Sequence, residues 1–225
     1  NVIISNHIGQ NDEEGIQKAV STAFTTAIVS GLILMCLGVA AAKPILTIMG
    51  TPDDVLTLAA TYLRIYFLGI PFFLIFNFGA AILRSMGDTK RPLYILVIAG
   101  IVNTVLNLFF VIVLKMSVAG VAVATGIANL VSALLIIRLL CKEKAPFRLH
   151  LNKIGVVWSE LKRMLMIGIP AGLQGMVFSF SNVLLQTAIN GYGSDAIAGS
   201  AAALNFEYYC YFVIAAFNGA ARSFI

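Results

Sequence analysis

Charged residues are scarce in this sequence. Only 11% of its 225 residues are Asp, Glu, Lys or Arg, whereas 60% are apolar, and the mean hydropathy is +0.94. Soluble domains average about 25% charged and about 45–50% apolar residues. The chain therefore has too little polar surface to cover a water-soluble globule, and its excess apolar surface must face lipid.

Residue clusters that carry out chemistry are also absent. The three cysteines, Cys36, Cys141 and Cys210, share no CxxC spacing and lie in or beside apolar runs, which excludes a disulfide framework or a cysteine metal site. The sequence contains no GxxxxGK[ST], HExxH or GxSxG motif. We therefore expect that this chain is not an enzyme, that it holds no metal site and no cofactor, and that it contains no ATP-hydrolysing domain.

The sequence contains several long segments without charged residues. A helix that crosses a bilayer needs about 20 mostly apolar residues, and the backbone satisfies its own hydrogen bonds in lipid most simply as a helix. The sequence predicts an all-α polytopic membrane protein with six transmembrane helices, the second of which begins before Arg64. The predicted spans are 19–42, 65–83, 92–114, 116–137, 164–194 and 196–221.

Basic residues are concentrated in alternate connections between these spans. The segments 1–18, 84–91 and 138–163 hold eleven of the fifteen Lys and Arg residues. By the positive-inside rule these segments are predicted to be cytoplasmic. The formal net charge of +5 is thus explained by topology and anionic lipid headgroups, and no nucleic acid is expected as a partner.

One connection is longer and more polar than the others. Residues 141–162 include Pro146 and Trp158 and alternate polar with apolar side chains, which is typical of an amphipathic segment at the membrane surface. We interpret 141–162 as a cytoplasmic linker between one helix group, 1–140, and the start of another, 163–225. Because the chain begins without Met and ends inside an apolar run, we expect it to be part of a longer membrane protein.

Glu207 is the only carboxylate deep in a predicted span. Its placement there costs about 2.5–3.5 kcal/mol on insertion scales, so a wet cavity or a partner group is expected beside it. One hypothesis makes Glu207 a proton or cation coupling site whose pKa is raised by desolvation. The alternative is a structural carboxylate held by hydrogen bonds near the interface.

Polar side chains inside the spans are further candidates. Asn103 and Asn107 are spaced i, i+4 and share a helix face, and Thr125 on the next span could complete a cluster with them. Such residues also serve simply to hold helices together. The same two interpretations apply to the remaining polar candidates, which are Asn77, Gln174, Asn182, Gln186 and Asn205.

Two prolines, Pro71 and Pro170, lie inside spans, and each follows a Gly-Ile pair. Proline removes a helix hydrogen bond and kinks the helix. We expect either a hinge or a static bend at each of them.

Several segments resemble those of the multidrug and toxic compound extrusion (MATE) family, and they occur in the family's order along the whole chain. They are IGQNDEE at 8–14, LRSMGDTKRP at 83–92, VNTVLN at 102–107, VAGVAVAT at 118–125, GIP at 168–170 and GYGSDAIA at 191–198. The resemblance implies about half of a twelve-helix, two-bundle transporter. The four helices before the linker resemble helices three to six, and the two after it resemble helices seven and eight.

The resemblance also implies a function, namely a secondary antiporter that exports drugs or organic cations in exchange for Na⁺ or H⁺. Asn103, Asn107 and Thr125 match positions where the family places coupling residues, although Asn107 stands where an acidic residue often does. The expected location is a bacterial inner membrane, with a small organic cation and the lipid bilayer as partners and no obligate protein partner. Two alternatives are a lipid-linked oligosaccharide flippase of the same superfamily, disfavoured by the few arginines in the spans, and a truncated membrane protein that does not transport.

Overall fold

The computed structural model describes the backbone of residues 2–150 and 154–224, and their side chains up to residue 217. Within these residues every regular element is a helix, so the predicted all-α class is confirmed. The helices are α1 (Val2–Gly9), α2 (Glu13–Ile48), α3 (Asp53–Leu68), α4 (Ile70–Ser85), α5 (Lys90–Leu108), α6 (Ser117–Lys142), α7 (Trp158–Asn190) and α8 (Ser194–Phe224).

Most of the predicted spans coincide with long helices. In the described residues, four helices are long and apolar enough to cross a membrane, or five if α3 and α4 together form one bent span. The sixth predicted span, 196–221, coincides with helix α8, which is not among those five. The count of six therefore stays a prediction. Helix α1 lies within the segment 1–18, where the sequence predicted no helix.

The second span is broken close to its proline. Helices α3 and α4 meet at Gly69 with a bend of 44°, and Pro71 lies in the first turn of α4. A proline fits the first turn of a helix because the N–H that it lacks has no partner there. The sequence predicted a hinge or a static bend at Pro71, and a bend is found there. Whether the two helices move about this bend stays a prediction. At Pro170, by contrast, helix α7 runs on without interruption.

Helices α2, α4 and α6 pack around a common core near their ends that adjoin segments 1–18 and 84–91. Phe24, Ile82, Leu83, Ile136 and Leu140 are all at most 2% exposed there. Small residues elsewhere on these three helices allow their backbones to approach one another closely.

The connection between α6 and α7 lies along α2. The backbone N–H of Leu149 donates to the carbonyl of Leu140, and the backbone N–H of Val157 donates to Thr22 Oγ1. Helix α7 begins at Trp158, before the predicted linker ends at 162. Residues 151–153 of this linker lie outside the described residues, and the three predicted domain ranges stay predictions.

Helix α7 contacts the first bundle at its two ends. Its buried residues are Glu160 in the first turns and Asn190 at the last position, and the side chains between them are largely exposed. Helix α8 packs against α7, and its described side chains are mostly exposed, with Ala196, Ile197 and Ser200 partly buried. The chain thus consists of a packed bundle, α1–α6, and a helix pair that touches it at two places.

Candidate functional site

The structure brings together three of the predicted site residues on α5 and α6. Asn103 Nδ2 donates to Thr125 Oγ1 at 3.3 Å, and Asn107 Nδ2 donates to Asn103 Oδ1 at 3.0 Å. The Thr125 hydroxyl in turn donates to the carbonyl of Val121. The i, i+4 spacing of the asparagines places both on one helix face, so they form a continuous chain of hydrogen bonds with Thr125.

Asn107 retains an unused acceptor. Its Oδ1 atom is buried and has no hydrogen-bond partner among the described residues. A buried polar atom without a partner costs about 1–3 kcal/mol, and a cation bound beside Asn107 Oδ1 would supply the missing partner. Carbonyl and hydroxyl oxygens are the ligands that hard cations prefer.

A π-helical segment, Phe109–Val113, begins two residues after Asn107. Wide turns of this kind occur often at functional sites. The run Phe-Phe-Val-Ile-Val is uniformly apolar, and the sequence predicted a regular helix through it. No pattern in these residues distinguishes a π-helical segment from a regular α-helix.

The polar cluster opens onto a cavity of about 430 Å³ between α4, α5 and α6. Asn77, Asn103 and Thr125 line it, together with Asn129 and Ser132, which the sequence reasoning did not identify. Asn129 is four residues beyond Thr125, and that i, i+4 spacing could have found it. Ser132 donates only to Ala128 on its own helix, through its hydroxyl group.

Asn77 also lines a second cavity, of about 540 Å³, between α1, α2, α4 and α7. The walls are mainly apolar and include Ile82, Leu165 and Ile167, with Thr26 and the exposed Arg84 as further polar residues. Pockets for small organic ligands typically combine apolar walls with a few placed polar groups. Asn77 donates to the Phe73 carbonyl, which leaves its Oδ1 as an acceptor for a ligand.

The remaining candidates lie on the α7–α8 pair. Glu207 and Asn182 line a cleft of about 650 Å³ between these helices. Glu207 is exposed at this cleft, where α8 packs mainly against α7, and its coupling role stays a prediction. Gln174 is an exposed residue of α7, and Asn205 donates to the Ala201 carbonyl of its own helix. None of these four residues adjoins the α5–α6 cluster.

A buried polar junction joins the first turns of α7 to the bundle. His7 lies between two carboxylates, with Nδ1 3.0 Å from Asp12 Oδ2 and Nε2 3.2 Å from Glu160 Oε2. Asp12 also caps α2, and the backbone N–H of Gly15 that donates to its carboxylate lowers its pKa below the ordinary value, with a further contribution from His7. The sequence reasoning missed this junction because Glu160 and His7 are 153 positions apart.

At the opposite end of α7, Asn190 Nδ2 donates to the carbonyl of Met49, at the end of α2. Gln186 Nε2 donates to Asn190 Oδ1 and thereby orients the amide. Among the described residues, polar contacts thus join α7 to the first bundle at both ends and leave its middle open.

Helical composition, long apolar elements and polar clusters within them define a multi-pass helical membrane protein. A family model described as MatE matches residues 1–109. The "Probable multidrug resistance protein YpnP" of Bacillus subtilis is 33% identical over 204 residues, covering 88% of this chain and 44% of that protein. The "Probable multidrug resistance protein YoeA" of the same organism is 29% identical over 206 residues, again covering 88% and 44%.

A solved structure gives the same result for the fold. It is described as the inward-facing conformation of a multidrug resistance MATE family transporter of the MOP superfamily, and it matches with a TM-score of 0.79. The match covers 87% of this chain and 44% of that one at 24% identity. The chain belongs to the MATE family, and it spans less than half the length of the relatives it matches.

Proposed function

We propose that this chain is part of a secondary active antiporter that exports small organic, mainly cationic compounds in exchange for Na⁺ or H⁺. The names of its relatives as multidrug resistance proteins support the substrate class. The observation that carries the coupling role is the α5–α6 cluster with its unpartnered Asn107 Oδ1. We place the protein in a bacterial inner membrane, with 1–18, 84–91 and 138–163 in the cytoplasm.

The chemistry of the cluster favours a cation over a proton at this position. Asn103, Asn107 and Thr125 offer only amide and hydroxyl groups, which do not titrate near neutral pH. They can contribute oxygen ligands to Na⁺, but they cannot carry a proton. Proton coupling would therefore need a carboxylate elsewhere, and Glu207 at the α7–α8 cleft is the candidate in this chain.

The two cavities that share Asn77 suit the substrate. One is mainly apolar and lies between the bundle and α7, and the other contains the polar cluster. Asn77 and the cationic Arg84 line both cavities, so a cation in either cavity would lie near the same two side chains. Antiport follows if occupation of one site opposes occupation of the other.

Flux measurements on the full-length protein in proteoliposomes test this proposal. Thr125→Val removes the hydroxyl that accepts from Asn103, and Thr104→Val is the matched control because the Thr104 hydroxyl bonds only to Gly100 of its own helix. We expect Thr125→Val to slow Na⁺-driven or H⁺-driven substrate movement by up to about tenfold, since a neutral hydrogen bond contributes about 0.5–1.5 kcal/mol and about 1.4 kcal/mol is a factor of ten. Thr104→Val should transport normally.

Glu207→Gln tests the second coupling group in the same assay. We expect this variant to keep substrate binding and to lose the part of the flux that a proton gradient drives. Wild-type flux and ion dependence in both Thr125→Val and Glu207→Gln would overturn the coupling roles. A full-length protein that moves no organic cation in any gradient would overturn the antiporter proposal itself.

A further inference from the structure

A groove of about 560 Å³ runs between α5 and α6 on the outside of the bundle. Its walls are apolar along most of their length, with Ile95, Ile98, Leu135 and Leu139. Tyr94 stands at the groove with its side chain 63% exposed. One end of the groove is surrounded by basic side chains.

The groove lies on the opposite face of these helices from the polar cluster. Tyr94 and Asn103 are nine residues apart on α5, which at about 100° per residue is half a turn beyond two full turns. Thr125 and Arg138 are thirteen residues apart on α6, which places them about 140° apart. The cavity that contains Asn103 and Thr125 faces α4, so the groove faces away from the bundle.

Charge at the basic end of the groove is uncompensated. Arg138, Lys142 and Lys144 line it, and among the described residues none of the three belongs to an ion pair. Arg91, also at the rim, is neutralised by Asp88 and by Glu143, whose Oε2 lies 2.6 Å from Arg91 Nη1. One guanidinium between two carboxylates carries a formal charge of −1 as a group, so together with the three exposed cations this end of the groove carries a formal charge of +2.

We propose that this groove binds an anionic phospholipid of the cytoplasmic leaflet. The phosphate lies among Arg138, Lys142 and Lys144, one acyl chain lies along Ile95, Ile98, Leu135 and Leu139, and Tyr94 lies at the headgroup level. Basic pockets between transmembrane helices on the cytoplasmic side select anionic headgroups in this way. The inference uses the proposed membrane orientation, and it is independent of which ion or drug is transported.

Native mass spectrometry of the purified full-length protein tests the site without transport. Phosphatidylglycerol and phosphatidylcholine with identical acyl chains are compared as probes. We expect preferential retention of phosphatidylglycerol. Removing two cations in Arg138→Gln/Lys142→Gln should weaken its binding about 30-fold, which is about 2 kcal/mol at tenfold per 1.4 kcal/mol and about 1 kcal/mol per basic residue.

The matched control is Arg148→Gln/Lys162→Gln, which removes two exposed basic residues of the same predicted face that do not line the groove. This control should retain the wild-type preference. A second variant, Ile98→Trp, keeps every charge and fills the apolar channel, and it should also lose phosphatidylglycerol.

Three results would overturn the proposal. They are equal losses in the control and the groove variants, equal retention of the two lipids by the wild type, and displacement of phosphatidylglycerol by inorganic phosphate with Ile98→Trp unaffected. The last result would identify a phosphate site without a lipid chain. If the full-length protein transports no organic cation but still prefers phosphatidylglycerol, the antiporter proposal is refuted and the lipid-site proposal is supported.

Discussion

At the scale of single residues, Asp12 performs two tasks in one place. Its carboxylate accepts from the backbone N–H of Gly15 at the start of α2, and its other oxygen lies beside His7 Nδ1. Side-chain acceptors at this position satisfy helix N–H groups that otherwise lack partners. The same residue therefore starts the longest helix and orients the histidine that reaches α7.

The lowered pKa of Asp12, caused first by the Gly15 hydrogen bond, gives a pH prediction. A carboxyl group with a lowered folded-state pKa stabilises the fold above its unfolded pKa, near 3.8, and loses this contribution as pH falls through the folded value. We expect Asp12→Asn to lower the unfolding temperature of the full-length protein at pH 5 by more than at pH 2.5. Glu13→Gln, at an exposed neighbouring carboxylate, is the control. An equal loss at both pH values would contradict the assignment.

Asn190 supports a second prediction, on the contact between α7 and α2. Asn190→Ala removes the hydrogen bond to the Met49 carbonyl, and a buried hydrogen bond contributes about 0.5–1.5 kcal/mol. We expect faster deuterium exchange at the last turn of α7 in the full-length protein. Asn205→Ala, whose amide bonds only to its own helix, should leave that exchange unchanged. Unchanged exchange in Asn190→Ala would show that this contact does not hold α7.

At the scale of elements, close packing of α2 against the α3–α4 break depends on one glycine. A methyl group at Gly31 would lie 2.7 Å from the Cα atom of Pro71, and backbone cannot move aside as a flexible side chain can. Gly31 therefore fixes how near α2 comes to the bend, and the bend is where the second span changes direction.

Gly31→Ala should destabilise the full-length protein by about 1–3 kcal/mol, the usual cost of overpacking a core. Gly100→Ala is the matched control, because a methyl group there meets no atom within 4 Å. Thermal unfolding in detergent measures both variants. If Gly31→Ala unfolds at the wild-type temperature, the helices separate at little cost and the packing argument is wrong.

At the scale of the whole molecule, the orientation in the membrane rests on charge. Eleven of fifteen basic residues lie in 1–18, 84–91 and 138–163. In a cysteine-free full-length background, we expect a membrane-impermeant thiol reagent applied to intact cells to label Asp54→Cys, at an exposed position in the first turn of α3. Lys90→Cys should be labelled only after the cells are opened. Labelling of position 90 from outside would reverse the topology.

The apolar side chains in the middle of α7 are not covered by the bundle. Residues of α7 such as Met176, Phe178 and Phe180 are at least 65% exposed, as apolar side chains facing lipid or further helices would be. Polar contacts at its two ends join α7 to the bundle, through Glu160 at the first turns and Asn190 at the last position. The packing of the bundle alone therefore does not account for the position of α7.

The helical class and most spans followed from composition, because lipid exposure requires long uncharged runs and these runs are visible in sequence. The Asn103, Asn107 and Thr125 cluster was also predictable, since i, i+4 spacing fixes a helix face and neighbouring spans pack together. Helix α1 and the π-helical segment were not, because short helices and wide turns leave no periodic pattern in apolar sequence.

Only the tertiary structure decided which distant groups meet. The His7–Glu160 and Asn190–Met49 contacts join positions 153 and 141 residues apart, and no local pattern encodes such pairs. The exposure of Glu207 was likewise decided by packing, because among the described residues α8 packs mainly against α7 and burial depends on every neighbour. The sequence determined which segments are helical and apolar, since those properties are local. The structure decided which polar groups share a cavity, since that depends on how helices far apart in the chain pack against one another.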